Sequence, residues 1–273
     1  MNIPTKKLNN GLEMPVLGLG TWKAKDGEEV EQAVLWALEA GYRMIDTAKI
    51  YGNELGVGSA IAKSKIPREQ IFLTTKLWNE DQGYESGLAA IDGSLSRLNV
   101  DYVDLYLIHW PTTNLTEGEN RRKETWKAME EILKLGKAKA IGVSNYTIAH
   151  LEEMKTYANI PPVVNQVEFH PFLFQKELMD YCQKSNIILE AYSPLSRGLK
   201  MQDNRITAIA KKYHKNNAQI MLRWSLQHGN IVIPKSVTQA RIKENINVFD
   251  FELTPEDLAI LDGLNENYRI VTG

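Results

Sequence analysis

The sequence holds one cysteine, Cys182, among 273 residues. No intramolecular disulfide framework and no multi-cysteine metal cluster can form from it, which fits a reducing compartment. A charge excess is also missing: 32 Lys and Arg stand against 34 Asp and Glu, for a net charge of −2. Nucleic-acid binders carry a basic surplus, so nucleic acid is not an expected partner. No stretch approaches the roughly 18 uninterrupted apolar residues of a membrane span. The opening MNIPTKKLNNG lacks the apolar run of a signal peptide. A cytoplasmic protein that engages no membrane is expected. Neither a Pro/Gly/Ser-rich linker nor a residue-level repeat interrupts the chain, which predicts one domain over residues 1–273 and, by default, a monomer. A single core stops growing only near about 250–300 residues, so this length is still allowed. With 43% hydrophobic and 24% charged residues, disordered and fibrous architectures are ruled out.

What the chain does have is alternation. Short apolar runs, Val16–Leu19, Tyr42–Asp46, Ile71–Leu77, Tyr102–Trp110, Ala138–Val143, Val163–Phe169, Ile187–Tyr192 and Ile231–Pro234, are separated by amphipathic stretches. The runs are continuously apolar rather than alternating, as strands of a parallel sheet buried on both faces must be. The stretches Glu28–Ala40, Tyr84–Leu98, Arg121–Leu135 and Asn216–His228 read as helices, and Gly41 stands where a helix-ending glycine belongs. Eight β-then-α units without a linker predict an α/β fold, a (β/α)8 TIM barrel, rather than an open doubly wound sheet. Asn9, Asn10 and Gly11 between two short extended segments signal a hairpin, expected to close the bottom of the barrel.

Barrel enzymes carry their chemistry where strands end and βα loops begin. The polar residues expected there are Asp46, Lys76, His109, Ser144, Asn145, Gln166, Glu168, Tyr192, Ser193, Lys235 and Ser236, with Tyr51 in the loop after Asp46. Taken singly, each has an ordinary structural explanation as a cap, a solvated ion pair or a satisfied core group. Together they bring an acid, a lysine, a tyrosine and a histidine to one rim. A phenol with a pKa near about 10 is a poor proton donor at neutrality, and a nearby ammonium lowers that value. A carboxylate would hold the ammonium, and a histidine would orient a substrate oxygen. Those parts make a proton donor for a carbonyl under reduction.

Eight motifs in order extend this pattern over nearly the whole chain: LGLGTW (17–22), DTAKIYGNE (46–54), TKLW (75–78), DLYLIHWP (104–111), GVSN (142–145), NQVE (165–168), AYSPL (191–195) and IPKS (233–236). On these motifs the sequence resembles the aldo-keto reductase superfamily. NEDQGY (79–84) is similar to small bacterial members described as glyoxal or methylglyoxal reductases and diketogluconate reductases. The resemblance implies NADPH-dependent reduction of small aldehydes, ketones or α-dicarbonyls by hydride transfer, with a tetrad of Asp46, Tyr51, Lys76 and His109. Tyr51 would be the general acid, Lys76 held by Asp46 would lower its pKa, and His109 would position the carbonyl. No metal is implied.

The same resemblance implies NADPH/NADP+ bound extended across the barrel. Gly18-Leu-Gly20 lacks a third glycine at dinucleotide-motif spacing and lies on the first strand, so a Rossmann reading fails. Ser144, Asn145 and Gln166 would hold the nicotinamide carboxamide and Tyr192 would stack on the ring. Ser193 and Leu195 would face the pyrophosphate. Lys235, Ser236, Thr238 and Arg241 would take the 2′-phosphate end, and Glu244 and Asn245 the adenine. Trp22, Trp78 and Trp110 would line the substrate pocket. Lys49, between the acid and the tyrosine, is expected at the loop surface. The loop from Pro111 to about Asn120 is expected to be short. The residues after the last helical pattern, Thr254–Leu264, are expected to be too few to wall the pocket, leaving it open to varied small carbonyls.

Two alternatives belong to other classes. An NADPH-binding regulatory or sensor barrel would bind cofactor with little turnover, and the complete tetrad argues against it. A metal-dependent barrel hydrolase would need ligand pairs, but the five histidines supply no His-x-His or HExxH spacing.

Overall fold

Each of the eight apolar runs contributes a strand, and all but one of these strands are buried along almost their full length, the burial that continuous hydrophobicity demands. The computed structural model describes residues 3–111 and 118–271. Its strands are β1 (Thr5–Lys7), β2 (Glu13–Pro15), β3 (Leu19–Gly20), β4 (Met44–Asp46), β5 (Phe72–Leu77), β6 (Leu105–Ile108), β7 (Ile141–Ser144), β8 (Val164–Glu168), β9 (Ile188–Tyr192) and β10 (Ile231–Val232). Strands β3 to β10 form one row in sequence order with every pairing parallel. The two ends of the row meet. Leu17 bridges Val232 and Gly20 bridges Lys235 in parallel, and the Gly18 N–H donates to the Val232 carbonyl at 3.0 Å. Closure satisfies the backbone groups an open sheet would leave at its edges. The fold is a (β/α)8 barrel.

The helices are α1 (Glu28–Ala40), α2 (Glu54–Lys63), α3 (Tyr84–Leu98), α4 (Gly118–Lys134), α5 (Ile148–Met154), α6 (Lys176–Lys184), α7 (Asn204–Tyr213), α8 (Asn217–Gln227), α9 (Gln239–Asn245) and α10 (Pro255–Asp262). Helix α1 buries Val30, Ala33, Val34, Ala37 and Leu38 on one face, and Gly41 ends it at φ 104°, where a side chain would be strained. Helix α8 begins where Asn216 and Gln219 cap each other's backbone N–H groups. The expected strand Tyr102–Trp110 shortens to Leu105–Ile108, because the chain leaves the ladder to carry Trp110 to the cavity described below. The loop expected to be short after Pro111 falls largely on residues 112–117, outside the described residues.

The hairpin β1–β2 plugs one end of the barrel. Its Leu8 and Met14 share an apolar cluster with Met44, Phe72 and Leu105, the first residues of β4, β5 and β6. With the strand starts sealed, the strand ends are the accessible face.

Helices α2 and α3 touch without room for a side chain at Gly58. A Cβ there would lie 2.2 Å from the Leu98 carbonyl oxygen, a backbone atom that cannot rotate away. Gly58→Ala is expected to destabilise the fold by roughly 1–3 kcal/mol, the usual cost of overpacking. Urea unfolding checks this; an unchanged midpoint would mean that α2 and α3 separate freely.

Candidate active site

A cavity of about 1040 Å³ opens at the carboxyl ends of the barrel strands, at the upper limit of the roughly 300–1,000 Å³ common for ligand pockets. Asp46, Tyr51, Trp78, His109 and Trp110 line it, with Trp22 from the loop after β3. Lys76 lies beneath, wholly buried. Its Nζ donates to Asp46 Oδ1 at 2.6 Å, to the Thr47 carbonyl at 3.0 Å and to the Tyr51 hydroxyl at 3.3 Å. The His109 ring stands edge-on to Tyr51 and to Trp78, with centroids 5.6 and 5.2 Å away. The four residues singled out in the sequence therefore meet at one point. Register explains part of this: Asp46 ends β4, Lys76 lies one residue from the end of β5, and β4 and β5 are adjacent.

Burial and charge set the protonation states. Burial holds the Tyr51 phenol above its ordinary value, and the Lys76 ammonium pulls it only partly back. Lys76 lowers the phenol's pKa as expected, but desolvation outweighs the cation, so the net shift is upward. The lysine stays charged because Asp46 and Tyr51 outweigh its own desolvation and raise its pKa. Burial, with the Lys76 charge beside it, drives His109 well below the ordinary imidazole value, so the ring is neutral. Its Nδ1 is buried without a hydrogen-bond partner. An orphaned N–H would be costlier than an orphaned lone pair, which places the proton on Nε2.

Behind the tetrad lies a layer that sequence reasoning read incompletely. Gln166 Nε2 donates to Asp46 Oδ2 and to Glu190 Oε2, each at 2.8 Å. Glu190 is fully buried, and its other oxygen, Oε1, has no partner. Burial and the neighbouring Asp46 charge push its carboxyl up to about 8, against weaker pulls downward from Gln166 and Lys76. The signal was available: an acid inside the apolar run of β9, in register with Gln166 on β8.

Asn145, Gln166, Tyr192, Ser193 and Leu195 line the cavity beside the tetrad, and Lys235, Ser236, Arg241, Glu244 and Asn245 line it further out. Asn145 sits at φ 64° and Ser193 at φ 47°, sparsely populated conformations for side-chain-bearing residues and typical of functional loops. The Asn145 amide donates to the His109 carbonyl and its oxygen accepts from the Tyr192 hydroxyl, at 3.0 and 2.9 Å. Ser144 and Thr238 do not line the cavity. The Ser144 hydroxyl donates to the Gln166 carbonyl at 2.7 Å and so braces β7 against β8. Lys49, as expected, is partly exposed and pairs with Asp81 at 2.5 Å.

One expectation is overturned. The residues after Leu264 do reach the pocket. Tyr268 N–H donates to the Phe172 carbonyl, Ile270 and Val271 N–H donate to the two oxygens of buried Glu168 at 2.9 and 2.8 Å, and Val271 lines the cavity. Residue count alone could not show that a buried carboxylate gathers this segment inward. Arg197 was also missed: its guanidinium lies 4.1 Å from the Trp22 ring centre, with the Lys23 ammonium 4.5 Å from the same centre.

A family model described as the aldo/keto reductase family matches residues 16–266, and the chain belongs to that family. It is 53% identical over 266 residues to the glyoxal reductase of Bacillus subtilis (strain 168), covering 97% of this chain and 94% of that one. It is 49% identical to the 9,11-endoperoxide prostaglandin H2 reductase of Trypanosoma cruzi (strain CL Brener), covering 96% and 92%. Among solved structures, an aldo-keto reductase of Bombyx mori in complex with NADP superimposes with a TM-score of 0.93 at 39% identity, covering 100% of this chain and 96% of the other.

The raised Glu190 pKa has a consequence for stability. Between about 4.5, the unfolded value, and about 8 the folded protein holds a proton that the unfolded chain has released, so stability falls as pH rises through that window. Glu190→Gln removes the effect. Its melting temperature relative to the parent should be higher at pH 8.5 than at pH 5 by roughly ten degrees, since the window spans about three pH units at about 1.4 kcal/mol each and each kcal/mol is worth roughly 2–4 °C at this size. A pH-independent difference would show that the acid is not held protonated.

Proposed function

We propose that the chain reduces small aldehydes, ketones and α-dicarbonyls to alcohols at the tetrad, with Tyr51 as the proton donor. The observation that carries this is the Lys76 ammonium bonded at once to Asp46 and to the Tyr51 hydroxyl in the floor of the cavity. As an aldo/keto reductase the chain is an oxidoreductase, and NADP(H) is its cofactor.

NADPH, when bound, supplies the hydride. Everything else falls to the chain's own side chains. Tyr51 and His109 line the same cavity with ring centroids 5.6 Å apart, so a carbonyl oxygen seated between them would accept from Tyr51 Oη and His109 Nε2. His109, being neutral, orients that oxygen without competing as an acid. As the oxygen gains charge, the Tyr51 proton moves to it, and Lys76 stabilises the phenolate left behind. Asp46 keeps the ammonium in place through the cycle. Burial keeps Tyr51 protonated until the oxygen gains charge, and the Lys76 ammonium is the group that eases release of the proton. The three tryptophans and Val271 give this part of the cavity apolar walls.

The fit to the cofactor rests on two features. Gln166 has both amide hydrogens committed to Asp46 and Glu190, so its remaining oxygen is free to accept from a carboxamide. At the far end Lys235 and Arg241 are exposed, line the cavity and form no salt bridge among the described residues, as a site for a 2′-phosphate requires. The regulatory-barrel alternative predicts binding with little turnover and gives no reason for a complete buried proton-donor network.

Steady-state NADPH oxidation over a panel of glyoxals, sugar ketoacids, aromatic aldehydes and steroids tests the assignment. Small aldehydes and α-dicarbonyls should react with comparable kcat/KM, and turnover confined to steroids would reject the substrate class. Tyr51→Phe should lower kcat by roughly 10²–10⁴ while NADPH still binds, the usual contribution of a positioned acid; retention of more than a tenth of the parent rate would remove Tyr51 from the role. Arg241→Ala should weaken NADPH by about tenfold or more and NADH little, since a charge-assisted hydrogen bond is worth about 1.5–3 kcal/mol. Equal losses for both cofactors would place the 2′-phosphate elsewhere.

A further inference from the structure

Glu190 is a fully buried acid that the reduction chemistry does not use. It sits beside Gln166 in the β8–β9 ladder, below the cavity and not in its lining. The groups facing it are Gln166 from β8, Asp46 from β4 and Lys76 from β5, with the Tyr51 hydroxyl beyond Lys76.

A glutamine side chain can be turned over at little intrinsic cost, exchanging its oxygen and nitrogen. Here the turn is blocked. Asp46 Oδ2 and Glu190 Oε2 both stand 2.8 Å from the same nitrogen, and the Asp46 carboxylate, paired with Lys76, can only accept. The reversed amide would set its oxygen against that carboxylate and leave the buried bond to Asp46 unmade. With Asp46 alone, one amide hydrogen would remain uncommitted and the plane of the amide would be set by a single bond. Asp46 fixes the polarity, and the second bond, to Glu190, fixes the plane.

We infer that Glu190 is a positioning residue for the cofactor: it locks the Gln166 amide with its oxygen toward the cavity, ready to accept from the nicotinamide carboxamide, and ties that clamp to the tetrad through Asp46. The inference rests on the reading of Gln166 given above. A protonated Glu190 serves as well as an ionised one, because its carbonyl oxygen still accepts from Gln166. That is why glutamine at this position, neutral and of the same length, should preserve the function, whereas leucine should not.

The test compares the dissociation constants of NADPH and of 2′-phospho-ADP-ribose, which lacks the nicotinamide, for the parent protein, Gln166→Ala, Glu190→Leu and Glu190→Gln. Glu190→Leu should weaken NADPH about three- to tenfold, the worth of one ordinary hydrogen bond. Binding of 2′-phospho-ADP-ribose should be unchanged, and Glu190→Gln should restore NADPH binding. Should leucine prevent folding, the β-branched Glu190→Val offers the same loss of an acceptor on a strand. If Glu190→Leu weakens both ligands equally, or neither, while Gln166→Ala weakens NADPH selectively, Glu190 is only a core residue and the inference is wrong. If Gln166→Ala itself leaves the ratio of the two constants unchanged, the reading of Gln166 fails and this inference with it.

Discussion

Lys76 has no water around it, and a bare ammonium in a protein interior is stable only when strong acceptors replace its hydration. Asp46 Oδ1 at 2.6 Å and the Thr47 carbonyl at 3.0 Å do so, and both come from the strand end next door. This ion pair constrains much of what lies around it. It fixes the spacing of β4 and β5 at their carboxyl ends and leaves the third ammonium hydrogen for the Tyr51 hydroxyl. It also occupies one oxygen of Asp46, so that the other is free for Gln166. Removing either partner would strand a buried charge, a change that typically costs roughly 3–5 kcal/mol.

The barrel is what makes such a pair affordable in geometric terms. Parallel strands side by side bring inward-facing residues near their carboxyl ends within reach of one another, and hydrogen bonds there join Asp46, Lys76, Gln166 and Glu190, four residues from four strands. The opposite end is sealed by the hairpin and its Leu8 and Met14. Polar groups therefore gather on one face and apolar groups on the other. The loops after the strands then supply what strands cannot. Trp22, Trp110 and Tyr51 sit beyond the ladder, and Asn145 adopts its left-handed conformation just past β7.

Much of this was legible in the residues. The eight strands follow from apolar runs that are too continuous for a one-sided sheet, and the tetrad from polar residues that interrupt or end those runs. The limits of legibility are physical. Glu190 was overlooked because attention to strand ends passes over an acid within a strand, yet an inward-facing position in a narrow barrel is as much a part of the site as the rim. The segment after Leu264 was misjudged because its path depends on Glu168, whose carboxylate accepts from two backbone N–H groups a hundred residues later in the chain. A contact of that separation leaves no local pattern. The net position of the Tyr51 pKa was not legible for a third reason: a neighbouring lysine is visible in a motif, but the depth of burial that opposes it is not.

The most direct test of the central claim, that the buried lysine exists to support proton donation by Tyr51, is the single-turnover rate of carbonyl reduction by Lys76→Met. NADPH affinity and the melting curve are measured on the same sample to confirm a folded, cofactor-loaded protein. Methionine keeps the length and packing of the side chain and removes the charge. The account predicts a fall in the rate of roughly 10²–10⁴, the scale of a lost acid catalyst, with NADPH affinity changed far less. A folded variant that binds NADPH and reduces its carbonyl within tenfold of the parent rate would contradict it.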